Sequence, residues 1–286
     1  MTTVKTQAWR AVRSVSRTVG RWTASNRLAP GFLIVGAQRC GTTSLFKTLS
    51  QHPAVLPAVY HKGVHYFDTA YDRGTDWYLG HFPMVRRAEA VRETLGVRGI
   101  TGESSPYYMF HPLAPDRIAR DLPDVRLLVL LRDPVERAYS AHAHELARGF
   151  EAEPFERALE LEAERLAGER DRMIADPTYN SERLQHNGYV ARGQYVEQLE
   201  HLTEVFGRDR LHVVDSDEFF ADPRPAFDAV CDFLGLPRWD DITFGKHNAR
   251  TRSPMSAELR ARLDAHFAPY DERLAAWWGR VPSWRR

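Results

Sequence analysis

The stretch F-L-I-V-G-A-Q-R-C-G-T-T-S-L, residues 32–45, decides the fold. Phe32 to Val35 is a short apolar run of the kind that forms a buried strand, and Thr42 to Ser50 carries a helical pattern. Between them lies a loop bounded by Gly36 and Gly41 that opens straight into the helix. A helix start exposes unpaired N–H groups and roughly half a positive charge, and glycine lets backbone approach an anion closely. The spacing matches the G-x-x-x-x-G of a nucleotide phosphate loop, but Thr42-Thr43 follow where that motif has Lys-[Ser/Thr]. The loop lysine of an ATPase is missing, and Arg39 stands inside the loop instead.

Outward from this stretch, strand and helix signals alternate, which predicts an α/β protein with a central parallel sheet flanked by helices in three layers. Arg98 to Gly102 is expected to give a short strand and Arg126 to Leu131 (R-L-L-V-L-L) a fully buried one. Asp133-Pro134 pairs an N-cap with proline at the first helical position, so a helix should run from Pro134 toward Ala147. Glu151 to Asp176 is charged and amphipathic, a helical surface excursion. Val190 to Phe206 predicts a helix and Arg210 to Val214 a strand. Helices over Phe227–Leu234, Ala257–Phe267 and Asp271–Trp278 complete the C-terminal third.

Composition sets the outer limits. The 286 residues, 43% hydrophobic and 27% charged, are ordinary for a globular chain and exclude wholesale disorder or a rod. No run approaches the ~18 apolar residues of a membrane span, and no secretory leader follows the basic start. Two cysteines, Cys40 and Cys231, are too few for a disulfide framework or a thiolate zinc cage. A soluble cytoplasmic protein is expected. The excess of arginine (35 of the 39 basic residues) and of alanine fits a GC-rich bacterial genome.

The net charge of +1 hides an asymmetry, because no acidic residue precedes Asp68. Residues 1–30 form a basic N-terminal arm in which Arg10, Arg13, Arg17 and Arg21 recur at helical spacing. A solvated or docked extra helix is the favoured reading, and contact with an anionic membrane surface through this arm is the alternative. The compact domain should occupy residues 31–286. A nucleic-acid partner is not expected.

A second anion site follows the strand ending at Leu131, in R-D-P-V-E-R-A-Y-S, residues 132–140. Arg132 stands at the carboxyl end of a parallel strand, where open α/β sheets bind ligands, and its planar fork matches a phosphate. Ser140 offers a hydroxyl from the following helix. Two phosphate sites on one sheet edge suggest a nucleotide with phosphates at both ends.

Here the chain resembles the sulfotransferases that use 3′-phosphoadenosine 5′-phosphosulfate (PAPS), in particular the heparan sulfate sulfotransferase branch and its bacterial relatives. G-A-Q-R-C-G-T-T-S-L is similar to the 5′-phosphosulfate loop and L-R-D-P-V-E-R-A-Y-S to the 3′-phosphate site. K-G-V-H-Y-F-D at 62–68, G-E-S-S-P-Y-Y at 102–108 and R-x-R-S-P-M at 250–255 extend the likeness over most of residues 31–280. The resemblance implies that Arg39, Cys40, Gly41, Thr42, Thr43 and Ser44 hold the 5′ side of PAPS, and Arg132 and Ser140 the 3′-phosphate. It further implies that Arg250 belongs to a C-terminal nucleotide loop, with Lys246 and Arg252 as a basic lid. PAPS would be the cosubstrate, with no metal, and the partner a hydroxyl- or amine-bearing acceptor.

The match fails at one informative place. The branch usually has K-E-x-H-[FY]-F-D with the glutamate as base, and this chain has Gly63 there. His65, with a reference pKa of ~6.5, then becomes the expected general base, oriented by Asp68 or Glu103, and Glu103 is the rival base. Arg39, which cannot donate a proton, acts as a fixed cation, as in the tyrosylprotein branch. A metal reading of His61, Lys62, His65 and Asp68 is set aside, because the lysine and the neighbouring Tyr66, Phe67, Trp77, Tyr78, Tyr107 and Tyr108 suit acceptor recognition. Two other functions stay open: a small-metabolite kinase of the phosphate-loop class, and a noncatalytic relative that binds the nucleotide.

Overall fold

The computed structural model describes residues 21–58, 62–245 and 255–286. His61, Lys246, Arg250 and Arg252, together with Arg10, Arg13 and Arg17 of the arm, lie outside the described residues.

Four parallel strands form one sheet in the order β2-β1-β3-β4: β1 Phe32–Gly36, β2 Gly102–Ser104, β3 Arg126–Leu131 and β4 Leu211–Asp215. Phe32 pairs with Gly102 on one side and Arg126 on the other, and Leu127 pairs with Leu211. Every residue of β3 after Arg126 is buried, so both faces of the sheet are covered, which is why this strand is a continuous apolar run without alternation. The expected α/β architecture with flanking helices is therefore present.

The helices are α1 Thr42–Leu49, α2 Tyr66–Thr69, α3 Thr75–Leu79, α4 Val85–Leu95, α5 Ala114–Asp121 and α6 Pro134–Arg148. They continue with α7 Phe155–Leu166, α8 Glu169–Ala175, α9 Glu182–His186, α10 Tyr195–Phe206, α11 Ser216–Ala221, α12 Pro223–Leu234 and α13 Ala257–Trp278. Helix α6 starts as its sequence demands: the Asp133 carboxylate accepts from the Val135 and Glu136 N–H groups, with proline at the first position.

Several elements differ from expectation. The second strand is Gly102–Ser104, not Arg98–Gly102. Ile100 instead bridges Val55, and its backbone bonds Ala54 and Leu56, leaving the polar triplet G-E-S to enter the sheet. Val190–Phe206 is not one helix, because the Val190 and Ala191 N–H groups donate to the buried Glu162 carboxylate at 2.7 and 2.9 Å, and α10 begins only at Tyr195. Conversely, α13 runs unbroken through Pro269. Its buried face of Leu259, Leu263, Phe267, Asp271 and Leu274 keeps helical spacing across the proline, so packing outweighs the lost hydrogen bond. The charged segment 151–176 is less superficial than expected: it buries Phe155, Ala158, Glu162 and Met173. At the N-terminus, residues 24–30 run onto the body. Arg27 donates to the Phe82 carbonyl at 2.8 Å, and Leu28 is buried.

Candidate functional site

The carboxyl ends of the strands open onto one cavity of about 470 Å³. Strand order decides what lies where: the end of β2 contributes Pro106 and Tyr107, β1 the loop 38–43, β3 Arg132 and Ser140, and β4 Asp217 and Phe220. Lys62, His65, His144, Arg148, Gln185, His186 and Arg192 complete the wall.

Gly41 caps α1 with φ +87°, a conformation that favours glycine, and a Cβ there would meet the Phe220 ring at 2.9 Å. The chain thereby turns so that Thr42 and Thr43, at the positive end of α1, line the cavity. Arg39 also has a left-handed backbone, φ 72°, and its Nε donates to Ser140 Oγ at 3.1 Å. The two anion motifs, about a hundred residues apart in the chain, therefore meet in one site. Arg132 is only weakly engaged by Glu136, at 3.5 Å. Arg260 draws the neighbouring carboxylates away by binding both Asp133 and Glu136, so the Arg132 fork keeps donors for a ligand.

Two loop residues sit differently from the rest. Ser44 is fully buried and does not line the cavity. Cys40 lies against Tyr195, Sγ to hydroxyl 3.6 Å, and burial pushes its thiol up to about 11. Its backbone, not a thiolate, faces the loop.

The segment 62–65 is clamped onto the end of β2. The Ser104 N–H donates to the Lys62 carbonyl at 2.9 Å, the Val64 N–H to Glu103 Oε2 at 2.6 Å, and the His65 N–H to Ser105 Oγ at 3.1 Å. Gly63 sits inside this clamp. A Cβ on it would fall 2.7 Å from the Ser104 carbonyl oxygen, closer than real contacts allow, so a glutamate here would require this backbone to shift.

His65 reaches the cavity while its Nδ1 meets Asp68 Oδ2 at 2.8 Å. Burial opposes the imidazolium, but the hydrogen bond and charge of Asp68 outweigh it, and the pKa rises above 6.5. Asp68 itself is buried and further held by the Thr69 N–H at 2.6 Å. His65 and Asp68 thus stand as a hydrogen-bonded pair through Nδ1.

Glu103 is placed elsewhere. Its carboxylate is fully buried beneath the cavity and accepts from Val64 N–H, Ser105, Tyr108 and Tyr78, at 2.6, 2.7, 2.8 and 3.1 Å. Burial raises its pKa against the bonds from Val64, Ser105 and Tyr108 and the charge of His65. This geometry makes it an acceptor for the clamp, and Glu103 is not among the residues that line the cavity.

Sequence reasoning missed Lys62 as a loop partner. Its Nζ donates to Thr43 Oγ1 at 2.8 Å and approaches Thr42 Oγ1 at 3.4 Å, and burial lowers its pKa to about 8, with Glu103 partly opposing. Only the motif K-G-V-H marked it. Arg192 was also missed, read as one residue of a long helix. It is buried, lies over the Tyr107 and Phe110 rings, and donates to Gln38 Oε1 at 2.6 Å, while Gln38 Nε2 donates to Glu145 at 3.4 Å. The loop side chain is therefore held from two sides.

Known proteins are similar to this chain over most of its length. The crystal structure of a sulfotransferase from Alicyclobacillus acidocaldarius superposes with a TM-score of 0.65 at 33% identity, covering 90% of this chain and 99% of that one. The membrane-associated sulfotransferase kil1 of Dictyostelium discoideum is 25% identical over 86% of this chain and 64% of its own length. Human heparan sulfate glucosamine 3-O-sulfotransferase 5 is 28% identical over 73% of this chain and 54% of its length. This chain thus spans roughly half to two thirds of these two curated relatives. The sulfotransferase domain pattern matches residues 29–251, taking in the loop, the 62–68 segment, the end of β2 and Arg132–Ser140. By that match and by the architecture that brings those segments to one cavity, the chain belongs to the sulfotransferase domain family.

Proposed function

We propose that the protein moves a sulfuryl group from PAPS to a hydroxyl or amine of a carbohydrate, glycolipid or small natural-product acceptor by in-line displacement. The observation that carries this reading is the 3.1 Å contact between Arg39 Nε and Ser140 Oγ, which joins a 5′-type phosphate loop to a 3′-type phosphate site in the cavity that also holds His65. The donor set suits a nucleotide with phosphates at both ends: Thr42, Thr43 and Arg39 for the phosphosulfate, Arg132 and Ser140 for the 3′-phosphate. Arg250 is proposed as a further nucleotide contact. No carboxylate other than Asp217 lines the described wall, as a polyanionic ligand requires.

In this reading, transfer needs alignment and charge stabilisation more than covalent help. His65 Nε2 takes the acceptor proton, and Asp68 fixes the tautomer and steadies the imidazolium. Pro106 and Tyr107, at the β2 end beside His65, wall the acceptor side, while the nucleotide extends over β3 and β4. The name of the human relative, a glucosamine 3-O-sulfotransferase, supports a sugar hydroxyl among acceptors. No helix among the described residues is long and apolar enough to cross a membrane. Independently of that, we propose a cytoplasmic location, with contact to a membrane surface through the N-terminal arm.

Incubation with [35S]PAPS and a cell extract, with identification of the labelled product, tests the reading. Label transfer together with tight binding of adenosine 3′,5′-bisphosphate (PAP) is expected. Magnesium-dependent ATP turnover without PAP affinity would instead establish a kinase, and PAP binding with no label transfer a noncatalytic binder.

A further inference from the structure

The phosphate loop contains no lysine, and Arg39, which stands there, keeps its proton at any working pH. The fold brings a lysine in from outside. Lys62 enters from the segment clamped on β2 and sets its ammonium 2.8 Å from Thr43 Oγ1 and 3.4 Å from Thr42 Oγ1, at the positive end of α1 and on the cavity wall. Resting on the sulfuryl-transfer reading, we propose that Lys62 is a catalytic residue: the cation that donates to the bridging oxygen of PAPS as the sulfur–oxygen bond breaks.

Three observations favour this over a structural role. The backbone of Lys62 is already anchored by Ser104, so its side chain is not needed to hold the segment. Its Nζ has only the two threonine hydroxyls as hydrogen-bond partners, with no carboxylate at ion-pair distance among the described residues. A cation so placed is costly unless an anion arrives. Arg39, by contrast, has its Nε engaged by Ser140 Oγ at 3.1 Å.

The step balances without a further reactant. The acceptor oxygen attacks sulfur, and its proton passes to His65 Nε2. The sulfur–oxygen bridge breaks, and its electron pair settles on the 5′-phosphate oxygen of the departing PAP. Lys62 keeps its proton, because an ammonium of pKa about 8 is a weaker acid than a phosphate monoester near 6. Its hydrogen bond strengthens as charge grows, so its effect falls on the transition state more than on the bound donor.

The test pairs Lys62→Met, close in shape, with Lys62→Arg, which keeps the charge. Single-turnover loss of label from [35S]PAPS, to water or to the acceptor, is read beside PAP affinity by calorimetry and a thermal melt. Expected is a fall of about 10²–10³-fold in rate for Lys62→Met, with PAP affinity changed less than about tenfold. Lys62→Arg should recover part of the rate and lose the decline of activity near pH 8. A Lys62→Met protein that melts normally, binds PAP and transfers at the parent rate overturns the proposal, as does a loss of PAP affinity as large as the loss of rate. A parent protein that fails to bind PAP refutes the sulfuryl-transfer reading itself, a result separate from these.

Discussion

Gly63 offers the sharpest trial of the site geometry, because the motif that K-G-V-H-Y-F-D resembles has a glutamate there and the intuitive experiment is to restore it. The structure predicts the opposite of a rescue. A Cβ at Gly63 lies 2.7 Å from the Ser104 carbonyl oxygen and 3.2 Å from Ser105 Oγ, whereas ordinary contact begins at 3.4 Å. The clash must therefore be relieved by about 0.7 Å, the difference between those two distances. Ser104 belongs to β2 and cannot rotate away, so the movement falls on the 62–65 segment and carries Lys62 and His65 with it. Overpacking of this kind costs about 1–3 kcal/mol of stability, and a displacement approaching 1 Å in a catalytic constellation costs on the order of 10²-fold in rate. Gly63→Ala should melt lower than the parent and transfer label roughly 10- to 100-fold more slowly, with PAP affinity falling less than the rate because Arg132 and Ser140 belong to the β3–α6 segment and not to the clamp. Gly63→Glu should be no faster than Gly63→Ala. Melting curves and single-turnover [35S] transfer measure both, and a Gly63→Glu protein faster than the parent refutes the reasoning.

Arg132→Ala should weaken PAP binding by about 10- to 150-fold, the loss of one or two charge-assisted hydrogen bonds, and calorimetry reads it directly; unchanged affinity would move the 3′-phosphate elsewhere. The pH profile of kcat/KM should be bell-shaped. His65 must be neutral to act, and its pKa is raised, so the rising limb lies above 6.5, while loss of the Lys62 proton near pH 8 sets the falling limb. His65→Ala should abolish the rising limb with little effect on PAP affinity. Cys40 and Cys231, pushed up to about 11 and about 12, should resist a thiol reagent at pH 8 in the native protein and react only on unfolding; a fast native phase in a thiol titration would contradict their burial.

What the sequence by itself determined is local. A strand, a glycine-bounded loop and a helix within residues 32–49, and a buried strand with an Asp-Pro helix start within 126–148, are each encoded in a few consecutive turns of chain. Burial pattern, capping and backbone freedom act there between near neighbours, and both motifs sit as read. The polar β2 triplet escaped, because nothing apolar marks a strand whose buried glutamate is satisfied by four donors, two of them, Val64 and Tyr78, from other segments. The tertiary structure alone decided that Arg39 meets Ser140, that Lys62 stands at the helix start where the loop lacks a lysine, and that Glu103 lies under the site while His65 faces it. Those are encounters between residues 19 to 101 positions apart, fixed by strand order and by which segment the end of β2 clamps. No spacing along the chain records them.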